Sequence, residues 1–404
     1  MIGRVAGKEI LSTLRDQRAI LSNLIIPLVV LPVIMLGLPL LLGGLFQREQ
    51  TTVTSVGVQG EANLPPALKT LLEKQNVRLT AVTDPETAVR DGTVPVAIGV
   101  PPGFAGHVAS GQGADLTLYS KKGNMKSELN AGKVQQAVST FTQQLVSSRL
   151  EAAGLDPKIL QPVHVQSVDA SSAAEKSSGQ LSWLIPFFIA IWTLTGGQMT
   201  AIDATAGEKE RGTLEALLVA PIRRSEVVIG KFLATLTFGL SAAVMAIVGY
   251  VVGGAILGSL FQPRLGSQAS AMVQVMGGSL DISLPSVLLL LVSALLLAAT
   301  IAALLLGITL FARSFKEAQS YVAPLSFLLI LPAVGLQFKD LLGFGEGVYL
   351  VPIFNVLVLM DDIVKGTAAA GHVLSTWLTL LVIIALLLVF AYRNFRREGV
   401  IFRV

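Results

Sequence analysis

Apolar runs near bilayer length recur along the chain. Residues 24–46, 183–202, 227–257, 286–311, 321–336 and 372–392 carry almost no charge, and a helix needs roughly 20 such residues to cross a bilayer's hydrocarbon core. A soluble domain has no interior that could absorb so many. The 404 residues are 52% hydrophobic and only 14% charged, outside the usual range of soluble proteins. The fold class expected is therefore an α-helical integral membrane protein with six transmembrane helices, whose first partner is the lipid bilayer. A formal charge of +4 is too small to point to nucleic acid. The absence of cysteine excludes disulfides, thiol catalysis and cysteine metal sites.

Residues 1–18 set Val5, Ile10, Leu11 and Leu14 among Arg4, Lys8, Arg15 and Arg18, which suits an amphipathic helix lying in the inner membrane interface. The first span, 24–46, is longer than the apolar core of a signal peptide and is followed by no small-x-small cleavage site. Its Pro27, Pro32 and Pro39 predict kinks, tolerated where neighbouring helices satisfy the freed carbonyls.

Between residues 47 and 182 the character changes. β-Prone runs at 52–59, 77–82, 94–100 and 115–119 alternate with helical stretches at 65–75, 85–91 and 125–153, the pattern of a mixed α/β domain. An extracytoplasmic α/β domain inserted between the first and second spans is expected, with 169–179 as a flexible linker back to the membrane. His107 and His164 lack a second ligand at metal spacing, and Ser120 beside Lys121 lacks an activating base, so all four read as surface residues. No catalytic residue and no metal site is assigned.

Five further spans are expected within 183–392. Residues 348–364 decide the topology: their apolar part, 348–360, is too short to cross and is interrupted by Pro352 and Asn355, so an outer re-entrant or interfacial segment is expected. The tail 393–404 then lies inside with Arg393, Arg396, Arg397 and Arg403, on the same side as Arg223, Arg224, Arg313 and Lys316, as the positive-inside tendency requires. Both termini are placed in the cytoplasm. In the third span, Gly239, Gly249, Gly253 and Gly254 allow close helix contact.

The charged island at 204–231 is the part of the chain that reads as a site. Glu208, Lys209, Glu210, Arg211 and Glu215 surround Leu214, Leu217 and Leu218 at one-face helical spacing, and Pro221 should end that helix at Ala220. Arg223, Arg224 and Lys231 are then expected among headgroups. On these grounds alone the stretch is either a coupling element or a basic loop lying on the membrane.

The run E-K-E-R-G-T-L-E-A-L-L-V-A-P-I-R-R resembles the signature loop of ABC-type export permeases of the ABC-2 class, E-K/R-E-x-G-T-x-E-x-L-L-x-S/T-P, with Ala220 where Ser or Thr is usual. The opening K-E-I-L-S-T-L-R-D-Q-R, followed by a proline-bearing first span, also resembles these permeases, and the segment A-V-R-D-G-T-V-P-V-A-I-G-V-P-P-G-F resembles the extracellular domain inserted after the first span in the NatB family of sodium-efflux permeases. The resemblance implies an exporter in which Glu208, Lys209, Glu210, Arg211, Gly212, Thr213 and Glu215 couple to a separate cytoplasmic ATPase. It implies two copies of that subunit, which would bind ATP and Mg while this chain binds no cofactor. It also implies a second permease half, the same or different, and a place in a bacterial inner membrane.

The chain carries no G-x-x-x-x-G-K-S/T loop and so is not itself the ATPase. The spans lack the central ionisable residues of ion-driven carriers and the constellations of intramembrane proteases. Thr193, Thr195, Gln198 and Thr200 make the second span unusually polar, either as bonds between helices or as a lining of the translocation path. Sodium and hydrophobic or amphipathic compounds are both open as cargo. The alternative function is a non-transporting receptor or scaffold that presents its external domain.

Overall fold

The computed structural model describes residues 1–156, 172, 175, 182–213, 221–256, 259 and 283–396. Most of the linker at 169–179, most of the loop at 258–285, residues 214–220 and the tail from 397 lie outside them. The chain divides into a helical unit, Met1–Leu41 with Ala170–Val404, and a smaller unit, Leu42–Asp169.

Helix α1 (Ile2–Leu14) buries Val5, Ala6 and Glu9. A π-helical turn, Leu21–Ile25, leads into α2 (Ile26–Thr51). Pro27 follows that turn directly, and its missing N–H breaks the regular ladder at the place where the winding changes. Asn23, buried in the same turn, donates to the Gly196 carbonyl at 3.4 Å.

The smaller unit then runs β1 (Thr54–Gln59), α3 (Pro66–Lys74), β2 (Val77–Ala81), α4 (Pro85–Arg90), β3 (Val96–Gly99), α5 (Phe104–Ala109), β4 (Thr117–Ser120) and α6 (Met125–Ala152). The sheet order is β2-β1-β3-β4. β1 is parallel to both neighbours, with Val56 opposite Leu79 and Val96, and β4 closes the sheet antiparallel to β3. Parallel pairing forces crossovers, here α3 between β1 and β2, and a helix covering a sheet buries both surfaces. Val56, Val58, Val96 and Ile98 from the sheet accordingly pack with Leu68 and Leu72 of α3 and Val134 and Phe141 of α6. Each such side chain contributes about 1.5–3 kcal/mol on full burial.

The helical unit continues with α7 (Leu184–Ile202), α8 (Arg224–Ile256), α9 (Leu284–Thr309), α10 (Phe315–Gly335), α11 (Phe354–Lys365) and α12 (Ala370–Phe395). Among the described residues, and with their extensions, Leu184–Glu210, Arg224–Ile256, Leu284–Thr309, Phe315–Phe338 and Ala370–Phe395 are five helices long and apolar enough to cross a membrane, and a shorter apolar helix covers Leu21–Ile34. Small residues set the packing, since lipid gives apolar side chains no reason to leave it and backbone proximity has to supply the contact energy. On α8, a Cβ at Gly249 would fall 2.4 Å from the Leu28 carbonyl oxygen, and one at Gly253 would fall 2.9 Å from Pro32 Cα. The start of α2 therefore lies backbone to backbone on α8.

Helix α11 has 12 residues, about 18 Å of helix at 1.5 Å per residue, and is too short to cross a hydrocarbon core of about 30 Å. Its residues from Asn355 to Val364 are nonetheless buried. Two adjacent acids lie within it. Asp361, 0% exposed, accepts from Ser182 Oγ at 3.0 Å and Lys365 Nζ at 2.7 Å. Asp362 pairs with Lys339 and accepts from the Tyr349 hydroxyl at 2.6 Å. The Tyr349 ring stacks on His372, centroids 3.8 Å apart, and His372 Nε2 is 2.8 Å from Glu346 Oε2. Segments 339–350 and 361–372 and the start of α7 are thereby gathered at one end of the helical unit.

Candidate functional site

The opposite end of the helical unit is built around the charged turn that follows α7. The helix does not stop at Ile202. It passes through a π-helical turn, Asp203–Gly207, into Glu208–Glu210, and ends where Gly212 takes a left-handed φ of +67°. A continuous helix from 207 to 220 was expected, and the turn at Gly212 interrupts it. A side chain with a Cβ would resist that φ. Leu214, Glu215, Leu217 and Leu218, which carried the amphipathic reading, lie outside the described residues, as does Ala220.

Each charged residue of the turn holds a different element. Glu208 points inward and is 2% exposed; its Oε2 accepts from Lys231 Nζ at 2.5 Å, and its Oε1 pairs with Lys8. Lys209 donates to the carbonyls of Leu310 and, at 3.3 Å, Ala312, where the last carbonyls of α9 have no partners within the helix. Glu210, exposed, accepts the Phe315 amide at 2.8 Å, an orphan donor at the start of α10 and the place where a helix favours negative charge. Arg211 folds back on Asp203, Nη1 to Oδ1 at 2.9 Å, and the Thr213 hydroxyl donates to the Glu208 carbonyl at 3.3 Å. On the same end, the Arg224 guanidinium donates to the carbonyl of Arg396, just past α12, at 3.0 Å.

Lys231 was expected among headgroups, and the structure corrects this: its side chain is 2% exposed. Besides Glu208 it meets Glu9 Oε1 at 3.4 Å and the Ala204 carbonyl. Lys8 Nζ lies 3.3 Å from the same Glu9 oxygen. Burial by itself would lower the Lys8 ammonium, but the hydrogen bond to Glu208 and the charges of Glu9 and Glu208 outweigh it and hold the group above the usual lysine range. Two lysines and two glutamates thus form a neutral cluster shared by α1, the end of α7 and the start of α8. A charge buried without such compensation costs several kcal/mol. The sequence does hint at the position of Lys231: it lies three and four residues after Val228 and Val227, on their buried face.

The polar residues of α7 divide between two faces. Thr193 and Thr200 are buried on the side packed against α8, where Thr193 O lies 3.1 Å from a Cβ built at Gly239. Thr195 and Gln198 are half-buried. The hydroxyls of Thr193 and Thr195 donate to the carbonyls of Ile189 at 2.6 Å and Ile191 at 2.9 Å, so two of the four candidate path residues spend their donors on their own helix. Thr200 Oγ1 is buried without a partner among the described residues.

Comparison with known proteins shows the family of the chain. The family model described as ABC-2 family transporter protein matches residues 4–400. The chain is also 30% identical over 405 residues to the ABC transporter permease protein NatB of Bacillus subtilis (strain 168), covering 98% of each. A multi-pass helical unit with its signature turn set among the helix ends, matched over nearly its whole length, belongs to the ABC-2 family of transporter permeases.

Proposed function

We propose that the chain is the membrane half of an ATP-driven exporter, moving cargo out of the cytoplasm with energy from a separate nucleotide-binding subunit. The observation that carries this reading is the division of labour in the turn. Glu208, Lys209 and Glu210 engage α8 with α1, the end of α9 and the start of α10 respectively, and Arg211 braces the turn on Asp203. A push on the exposed stretch from Glu210 to Thr213 therefore reaches most of the spans through charge-assisted bonds.

Six spans with both termini inside fit the contacts. Lys209 meets the end of α9, and Arg224 meets the end of α12. Lys339 meets α11, and Glu346 meets the start of α12, at the other end. In this reading α11 is an outer re-entrant element, the unit Leu42–Asp169 is extracytoplasmic, and the turn faces the cytoplasm of a bacterial inner membrane. Two ATPase copies and a second permease half complete the exporter. The apolar character of the long helices fits a hydrophobic or amphipathic cargo at least as well as bare sodium, whose desolvation needs a row of oxygen ligands.

The test is affinity purification from the native membrane, followed by ATP hydrolysis measured with and without sodium chloride or ethidium. A co-purifying Walker-type subunit whose turnover rises with ethidium supports the reading, and Glu210→Lys should abolish that rise while the permease stays inserted. Recovery without any ATPase under mild detergent would sink it.

A further inference from the structure

We infer that helix α1 is a moving part of the coupling machinery, keyed to the second and third spans by the Lys8–Glu9–Glu208–Lys231 cluster, with Lys8 and Glu9 as positioning residues for force transmission. This rests on the exporter reading above and deepens it.

The cluster is built to hold three segments in one arrangement. Lys231 and Glu208 are 2% and 3% exposed by side chain, and Glu9 is 5% exposed. Each glutamate faces both lysines: Lys231 reaches Glu208 at 2.5 Å and Glu9 at 3.4 Å, while Lys8 reaches Glu9 at 3.3 Å and pairs with Glu208. Two of the four contacts, Lys8 to Glu208 and Lys231 to Glu9, cross between α1 and the other two segments. If α1 slid away, it would take Lys8 and Glu9 together: Glu9 would lose the buried Lys231 ammonium, and Glu208 would lose Lys8. Separation is unfavourable in a poorly hydrated place, so the three segments move together.

Two backbone features support the same assembly. The π-helical turn Asp203–Gly207 places the Ala204 carbonyl on Lys231, and single π turns inside helices commonly serve such local demands. Next to Lys231, Gly230 lets α1 lie directly on α8: a Cβ there would fall 2.7 Å from Val5 Cβ. The helix that reads in sequence as a passive surface anchor is thus fastened beside the turn's first glutamate. A stroke delivered to the exposed residues that follow Glu208 would carry α1 with it, and a surface helix displaced in this way would carry the start of the first span.

The test removes the α1 half of the cluster and leaves the other half balanced. Lys8→Met/Glu9→Gln retains the Glu208–Lys231 pair and its neutrality. The complex is reconstituted in proteoliposomes with its ATPase, and ATP hydrolysis and ethidium efflux are measured together. The expected result is unchanged co-purification, basal hydrolysis within about twofold of the parent and ethidium moved per ATP reduced at least tenfold. Parental efflux per ATP in the double variant would overturn the inference. Glu9→Asp keeps the charge but draws the carboxylate back from Lys231. It should lower efflux per ATP at a parental thermal midpoint; parental efflux per ATP in it would also overturn the proposal, even if the double variant failed to assemble. A parent complex with no ATPase at all would refute the exporter reading instead.

Discussion

Replacing Gly249 tests the packing that holds the first span. A methyl group at this position would lie 2.4 Å from the Leu28 carbonyl oxygen and 3.0 Å from its carbon. Both atoms are backbone and cannot swing aside. Restoring ordinary contact requires the first span to retreat by about 1 Å, and overpacking of this kind costs about 1–3 kcal/mol. Alanine recovers about 1 kcal/mol through its better helix propensity, so Gly249→Ala should be mildly destabilising and Gly249→Leu clearly so. Gly307 is the internal control, because a Cβ there would meet the Phe390 ring at 3.5 Å, an ordinary contact. Gly307→Ala should therefore be neutral or slightly stabilising. The assay is the thermal midpoint of purified protein in one detergent, read by size-exclusion recovery after heating. The order expected is Gly307→Ala above parent, then Gly249→Ala, then Gly249→Leu. Equal midpoints for Gly307→Ala and Gly249→Leu would refute the claim that α8 and the first span meet through their backbones.

Two further outcomes follow from buried or capping charges. Lys339→Met leaves Asp362, whose side chain is 5% exposed, with the hydroxyls of Tyr349 and Thr367 and no cation; breaking such a pair costs about 3–5 kcal/mol, and adding Asp362→Leu should recover most of the lost thermal midpoint. In the smaller unit, Asp84 caps α4, and hydrogen bonds from the Thr87 hydroxyl and amide hold its carboxyl below the ordinary value of 3.8. Because the folded value is the lower one, the cap contributes fully above pH about 3.8 and is lost as pH falls through the folded value. Hydrogen exchange at residues 84–90, corrected for its intrinsic pH dependence, should rise across that window in the parent and stay flat in Asp84→Ala.

Much of this architecture was legible because it follows from periodicity. Strands β1 to β3 fall within the β-prone runs and β4 overlaps the fourth, and Pro66 and Pro85 stand at the first turns of α3 and α4, where a missing N–H costs nothing. The five long spans follow from apolar length alone. The buried cluster was not legible, because periodicity tells which face is apolar and says nothing of which charges meet across it. Lys231 and Glu208 looked like members of a solvated island; their burial depends on α1 covering them. Asp361 and Asp362 were overlooked for the same reason, since an apolar run that ends in two acids looks like a surface boundary until neighbouring helices enclose it. The end of the helix at Gly212 was missed because Leu214, Leu217 and Leu218 continue a helical pattern beyond a residue whose left-handed φ stops it.

The two charge clusters differ in how far apart their members lie along the chain, and this bears on biogenesis. Asp361 is neutralised by Lys365 four residues later, and Asp362 by Lys339, 23 residues earlier. These partners leave the ribosome almost together, so the segment can be inserted as a neutral package before the last span has been made. In the other cluster Lys8 has Glu9 beside it, yet the contacts that join α1 to the rest are long-range. Glu208 is 200 residues downstream of Lys8, and Lys231 is 222 downstream of Glu9. During synthesis, α1 must wait while the whole smaller unit and α7 are made, and only the arrival of α8 gives Glu9 its buried lysine. Closure of the cluster thus reports that the first half of the permease has assembled correctly.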